Sequence, residues 1–182
     1  MDAKYRWLNL RSLAESYITK KETINGLFYF TALANWKQDA VIRHRDYIKT
    51  LEANGITTIY GKFKNKDKYC NLCHKKYRSH EEKQTDVNIA LHLLTEAIHN
   101  SYDKAIIVSG DSDLVPAIKA VKKLYPEKQF TVVVPLRMRS KEIIQTCDSH
   151  IKMKNYHIVS NRFDNNIQLA DGSSINCPKE WQ

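Results

Sequence analysis

The run Ser109-Gly110-Asp111-Ser112-Asp113 places two carboxylates two residues apart in a tight turn. Before it, Ala105–Val108 is a short apolar run with β-branched residues and predicts a buried strand. After it, Leu114, Val115, Ile118, Val121 and Leu124 recur at helical spacing and predict a helix over 114–125. Acids at the carboxyl end of a strand stand on the edge where open α/β sheets hold their ligands. Two such acids repel each other unless a cation lies between them, and a hard ion, Mg²⁺ or Mn²⁺, suits carboxylate oxygen. The plainer reading is that one acid or serine caps the following helix. Capping needs one acid. The second acid, with Ser109 and Ser112 on either side, favours a metal or phosphate role.

The elements that must position this turn follow from periodicity. Residues 5–18 predict a helix, with Trp7, Leu10, Leu13, Ala14, Tyr17 and Ile18 on one face. Ile24–Thr31 is rich in β-branched and aromatic residues and predicts a strand. Lys37–Asn54 predicts a helix stopped by Gly55, and Ile56–Phe63 a second strand. Residues 64–81 are polar and basic and predict an irregular loop. Gln84–Asn100 predicts a helix with Val87, Ala90, Leu91, Leu94 and Ile98 inward. Gln129–Pro135 predicts a strand and Ser140–Thr146 a short helix. From about residue 155 periodicity fades, which predicts a tail with a turn at Asp171-Gly172 and Trp181 folded back on the domain.

Strands alternating with helices predict an α/β fold with a mostly parallel sheet and right-handed crossovers. Helices then start on the edge where strands end. The strand at 56–63 delivers the 64–81 loop to that edge, and Asp86 stands near the start of the next helix. A helix of about 14 residues spans about 21 Å, and a strand of six or seven residues about the same. Asp86, Asp111 and Asp113 are thereby predicted to converge. For Asp86 the plainer reading is an acid that complements the helix dipole.

The chain has 182 residues, 42% hydrophobic and 27% charged, which suits one domain with a sizeable core. Its net charge of +9 favours a polyanionic partner, nucleic acid first and an acidic membrane second, against a plain lysine-rich surface. No apolar stretch is long enough for a membrane span, and the first residues lack a signal peptide's apolar core. Four unevenly spaced cysteines point to a reduced, cytoplasmic protein rather than a disulfide framework.

The run Glu81-Glu82-Lys83-Gln84-Thr85-Asp86-Val87, with Ser109-Gly110-Asp111-Ser112-Asp113 following, resembles the NYN domain of the PIN-like nuclease superfamily. The resemblance covers Tyr5 to about Met153, and Pro178-Lys179-Glu180-Trp181 resembles the tail of some members. It implies a Rossmann-like α/β/α sandwich over residues 1–154, a tail over 155–182, and metal-dependent RNA cleavage. Its acidic positions carry over to Asp86, Asp111 and Asp113, and Asp148 matches a further one. Members open with a central strand ending in Asp-Gly-x-Asn, which supplies one more metal-binding aspartate. Here Met1-Asp2-Ala3-Lys4 precedes the first helix directly, and Asp2 has no strand before it. The expectation is a sheet lacking a central strand and a weakened metal site, from a truncated or degraded gene in preference to a genuine variant.

The 61–83 segment carries Lys62, Lys64, Lys66, Lys68, Lys75, Lys76, Arg78 and Lys83, interleaved with Phe63, Tyr69 and Tyr77. Lysines neutralise phosphates and aromatics stack on unpaired bases. Arg137, Arg139 and Lys141 follow a strand to the same edge. The solvated-loop reading is the alternative. Cys70 and Cys73, with His74 adjacent and His80 further on, are candidates for a small structural Zn²⁺ clip, against a free thiol pair. Some NYN relatives resemble this sequence in carrying such a pair before the acidic helix.

The function these features predict is a Mg²⁺- or Mn²⁺-dependent ribonuclease, with Ser109 and Ser112 orienting carboxylates or touching phosphate. Its rival is a non-cleaving RNA-binding module of the same fold. A phosphatase-like or nucleotide-binding domain has only the acid-rich turn behind it. RNA is the expected partner and a membrane is not; a homo-oligomer stays open.

Overall fold

The computed structural model describes residues 5–138 and 140–182. Its centre is β6 (Gln129–Val134), which pairs in parallel with β5 (Lys104–Val108) on one side and β7 (Ser149–Lys152) on the other. Alternate residues of a strand point to opposite faces. Accordingly Phe130, Val132 and Val134 join one core with Ile118 and Val121 of α4 (Val115–Leu124) and Ile143 of α5 (Lys141–Thr146). Val133 joins a core on the other face, with Leu13 of α1 (Leu10–Glu15) and the following Tyr17. Helices therefore cover both faces, and the expected α/β sandwich forms.

The second half of the fold is β1 (Phe28–Thr31), α2 (Gln38–Ala53) and β2 (Thr57–Tyr60), with β1 and β2 parallel. Gly55 ends α2 at φ 74°, where any other residue is strained. A Cβ there would also lie 2.8 Å from Arg11 Nη2. The Arg11 guanidinium earns that space: its Nε donates to the carbonyl of Asn54 at 2.6 Å. Among the described residues no strand hydrogen-bonds both β1 and β5, so the parallel strands stand in two separate sheets. The helix α3 (Thr85–Ile98) reaches both. His92 lies against Phe28 at 4.0 Å between ring centroids, and Leu93 and Ala97 enter the α4 core.

Several expectations change. The predicted loop at 64–81 is an antiparallel hairpin, β3 (Lys62–Tyr69) and β4 (Lys76–Lys83). Both of its faces are polar, so no alternation of hydrophobicity marked it. The first helix is shorter than residues 5–18, because Asn9 caps it by accepting the N–H groups of Arg11 and Ser12. On α3 Leu94 faces inward as expected, together with Ile89, Leu93 and Ala97, whereas Val87, Leu91 and Ile98 are exposed. The helix is apolar around more than half its circumference, so its pattern could not select the buried arc. Strand β7 was too short to be signalled.

Residues 155–182 carry α6 (Asn155–Val159) and a hairpin of β8 (Asn166–Gln168) and β9 (Ser174–Asn176) that turns at Asp171-Gly172. Phe163, Cys177 and Trp181 from this stretch close a core around Trp7, Tyr47 and Leu51. Trp7 donates its indole N–H to the carbonyl of Asp164 at 2.8 Å. Among the described residues no helix is long and apolar enough to cross a membrane. Trp7 is fully buried, and its replacement by alanine is expected to cost about 3–5 kcal/mol. The measurement is the midpoint of urea unfolding; an unchanged midpoint would show that this core contributes little.

Candidate metal centre and nucleic-acid interface

The turn after β5 is built from its own side chains. Ser109 Oγ accepts the N–H of Asp111 at 3.0 Å, and Asp111 Oδ1 accepts the N–H of Asp113 at 2.9 Å. These bonds start the 3-10 turn Ser112–Leu114 that leads into α4. Asp111 thus does cap, as the plainer reading held, and it still has a second carboxylate oxygen to offer. Ser112 is exposed within the same turn.

Asp86 arrives from another direction. The hairpin returns to the body at Lys83, and Gln84 reverses the chain into α3 with φ 77°, a left-handed conformation unusual for a residue with a Cβ. Gly61, where β2 passes into the hairpin, makes room for this reversal. A Cβ on Gly61 would stand 2.5 Å from Thr85 Oγ1 and 2.8 Å from the carbonyl oxygen of Lys83. Asn88 ties the first turn of α3 to the end of β2 by donating to the carbonyl of Tyr60 at 3.2 Å.

The outcome is a cluster. Asp86, Asp111 and Asp113 each bring a carboxylate oxygen within 4.8 Å of the others, and no other group of three or more such ligands forms among the described residues. Partial burial pushes the Asp86 carboxyl above its ordinary range, and the charges of Asp111, Asp113 and Glu82 push it the same way. Among the described residues no lysine or arginine pairs with the three. Three oxygen donors crowded without a counter-charge fit a hard divalent cation, which takes carboxylate oxygens and keeps waters of its own.

The structure does not bring Asp148 to this cluster. Its Oδ1 is 2.5 Å from Lys122 Nζ, and its Oδ2 accepts the N–H of Phe130 at 2.8 Å. Lys122 and this N–H hold its carboxyl below the ordinary range. Phe130 is level with Ala105 at the amino end of β5. The aspartates stand past Val108, three residues along at about 3.3 Å each, so about 10 Å or more away.

The hairpin rises from the cluster's edge as an arm. Its register puts Lys62, Lys64, Lys66 and Lys68 on one face, every second residue, with Lys83 across from Lys62. Lys66 and Lys83 both pair with Glu81, at 3.2 and 3.0 Å, and Lys76 pairs with Asp67 at 2.8 Å. Arg78 and the tip residue Lys75 are exposed. Arg137 stands in the turn after β6 with φ 64°; Arg139 lies outside the described residues, as does Asp2. At the arm's base Trp36 stacks on His80, 3.6 Å between centroids and 8° from parallel, with Phe63 edge-on. With Tyr60 and Arg78 they line a cleft of about 650 Å³. Trp36 and Tyr60 had no signal in the sequence: each sits among unremarkable neighbours, and only the fold places them beside the arm.

His80 is consequently not beside the cysteines. It pairs with Asn65, four residues along β4 from Lys76, or about 13 Å from the tip. The tip holds Cys70, Cys73 and His74, the last with φ 52°. N–H groups of Cys73 and Leu72 directed at the Cys70 sulfur lower its thiol below the ordinary value.

A parallel α/β sandwich with an acidic cluster on the carboxyl edge of its strands fits a PIN-like nuclease fold. The family model described as NYN domain matches residues 2–154, and the chain belongs to that family. A crystal structure of a protein of unknown function from Vibrio parahaemolyticus has a similar fold, with a TM-score of 0.55 and 19% identity over 79% of this chain and 78% of that one. The chain is also similar to 6-hydroxy-3-succinoylpyridine 3-monooxygenase HspA of Pseudomonas putida, 40% identical over 55 residues. That stretch is 30% of this chain and 17% of the monooxygenase, so the two share a short segment.

Asp86 and Asp148 are expected to part company in solution. At ten times its Kd, Mn²⁺ should stabilise the fold by about 1.4 kcal/mol, read as a raised Tm. Asp86→Asn should abolish that rise and Asp148→Asn should keep it. Asp148→Asn should instead cost under about 1 kcal/mol near neutral pH. Because the folded-state pKa of Asp148 is depressed, this contribution is present above the ordinary value of 3.8 and is lost as pH falls through the lower folded value.

Proposed function

We propose that this chain is a divalent-metal-dependent ribonuclease, cleaving RNA phosphodiesters at Asp86, Asp111 and Asp113. The observation that carries the reading is the convergence of three carboxylates, from α3 and from the turn after β5, to within 4.8 Å of one another. The chemistry that bound Mg²⁺ or Mn²⁺ supplies is polarisation of a phosphoryl oxygen and a lowered pKa for water. The protein's own groups hold and orient. Asp111 and Asp113 are fixed by the turn's hydrogen bonds, and Asp86 closes the set from the helix start. Ser109 acts through Asp111, and exposed Ser112 is available to a phosphate.

The substrate class follows from what surrounds the cluster. Lys64, Lys66 and Lys68 recur at about 6.7 Å along one face of the arm, a row suited to a sugar-phosphate chain. Lys75, Lys76, Arg78 and Arg137 extend the basic surface, and Arg139, outside the described residues, is proposed from the sequence to join them. The Trp36–Tyr60–Phe63 cleft offers stacking to a base that is out of a duplex, which favours single-stranded segments. We assign the activity to residues 1–154, with residues 155–182 as a tail, in a reducing cytoplasmic setting that suits four free cysteines. The second reading, a non-cleaving RNA-binding module, draws on the separation of β1 from β5 beside the cluster.

The deciding experiment is cleavage of a labelled single-stranded RNA with Mn²⁺ and with EDTA, beside Asp111→Asn. Cutting that needs the metal and falls at least about a hundredfold on substitution supports the nuclease. Binding that survives the substitution, with no cutting by either protein, supports the module. In both cases the affinity of RNA should fall steeply with salt. Replacing Lys64, Lys66 and Lys68 together by alanine should reduce the slope of log K against log salt by about 2, if each neutralises one phosphate of a single strand.

A further inference from the structure

We propose that Cys70 and Cys73 are half of a tetrathiolate zinc site, completed when two copies of this chain meet tip to tip at the ends of their hairpin arms. The assignment stands apart from the nuclease reading and does not depend on it.

A structural zinc site is closed by four nitrogen or sulfur ligands. The tip supplies two sulfurs three residues apart, the spacing at which one turn presents both to a single ion. Their own chain cannot supply the rest. Cys147 is buried in the α4 core and Cys177 beside Trp7 and Trp181. His80 is held at the arm's base by Trp36. His74 is the one remaining candidate at the tip, and it forms no three-ligand group with the cysteines among the described residues. Two thiolates from each of two copies complete the set around a two-fold axis, with the same surface used on both sides.

Three further features suit that arrangement. The tip is accessible: from Lys66 to Arg78 every residue but Cys70 is exposed. Leu72, between the two ligands, is 94% exposed, and tip-to-tip contact covers it. The charge also fits. Four thiolates around one Zn²⁺ leave a negative cluster, and exposed Lys68 and Lys75 lie within two residues of Cys70 and Cys73 on each copy. Without the metal the same lysines make the two tips repel, so association depends on the ion. The Cys70 sulfur already faces the N–H groups of Cys73 and Leu72, the kind of outer hydrogen bonding that steadies a metal-bound sulfur. A two-stranded hairpin is marginal by itself in water. Trp36 packs against this one at its base, and the tip turn is closed by the N–H of Cys70 on the carbonyl of Lys75 and the N–H of His74 on the carbonyl of Cys70.

On binding, the cysteine thiols release their protons to solvent and zinc–sulfur bonds form, with no change of oxidation state. The test uses the metal-free, reduced full chain titrated with Co²⁺, a coloured stand-in for zinc. Asp111→Asn is run alongside so that ions at the aspartates are not counted. The expected result is thiolate-to-cobalt charge-transfer absorption that saturates at one ion per two chains. The mass in sedimentation should double with it and return on adding EDTA. Cys70→Ser and Cys73→Ser should each abolish both signals while circular dichroism and RNA binding stay unchanged, and His74→Ala should retain both signals. Saturation at one ion per chain with unchanged mass overturns the proposal. So does the absence of thiolate absorption, or a dimer that persists in EDTA.

Discussion

A strand buried on both faces has no polar side to give to water, and β6 is such a strand. Its Phe130, Val132 and Val133 are fully buried, each contributing about 1.5–3 kcal/mol by leaving water. That demand fixes the surrounding architecture. Parallel partners must flank β6, and helices must cover it above and below. Parallel neighbours in turn force every connection to cross back over a face. The crossing helix from β5 to β6 then begins where β5 ends, and the acidic turn is the joint between them. The position of Asp111 and Asp113 is thus a by-product of burying five consecutive apolar and threonine side chains elsewhere.

Charge is distributed against that frame in a consistent way. The chain carries a net +9, yet the one place where three carboxylates crowd has no cation of its own among the described residues. The lysines are instead set out along the arm, where several are tied to Glu81 and Asp67. A negative focus at the foot of a positive arm gives the two signs of charge separate places on one edge. Neither half of this arrangement would select for nucleic acid alone. A lysine-rich face is common on soluble proteins, and clustered acids are common on surfaces.

Much of this was legible in the residues themselves. Strand β5, the SGDSD turn and α4 were marked by apolar runs ending abruptly in acids, and the edge argument brought Asp86 to them without coordinates. The NYN resemblance rested on the same residues. What the sequence hid has physical causes. The arm has lysine at every second position but no apolar face, so its alternation carried charge rather than hydrophobicity. A loop at 64–81 would leave His80 near the cysteines; the hairpin sets four residues of extended strand between them. Asp148 matched a further family position, but it stands at the amino end of the strands, where it pairs with Lys122 and accepts the N–H of Phe130. The apolar arc of α3 is broader than one interface needs, so the pattern marks Leu94 correctly but does not single out Ile89, Leu93 or Ala97.

The separation of the parallel strands into two sheets has a consequence for how the molecule opens. Cooperative units of a fold unravel at different free energies, and the unit with the most buried contacts opens last. Here that unit is β5–β6–β7 with α4, which carries Asp111 and Asp113. Asp86 belongs to α3, whose only fully buried side chain is Ala97 and which leans on both sheets without being enclosed by either. Brief detachment of α3 would pull one carboxylate from the cluster while the other two stayed in place. The cluster is complete only while α3 is docked, so an ion bridging its three members would tie α3 to the sheet that carries the other two.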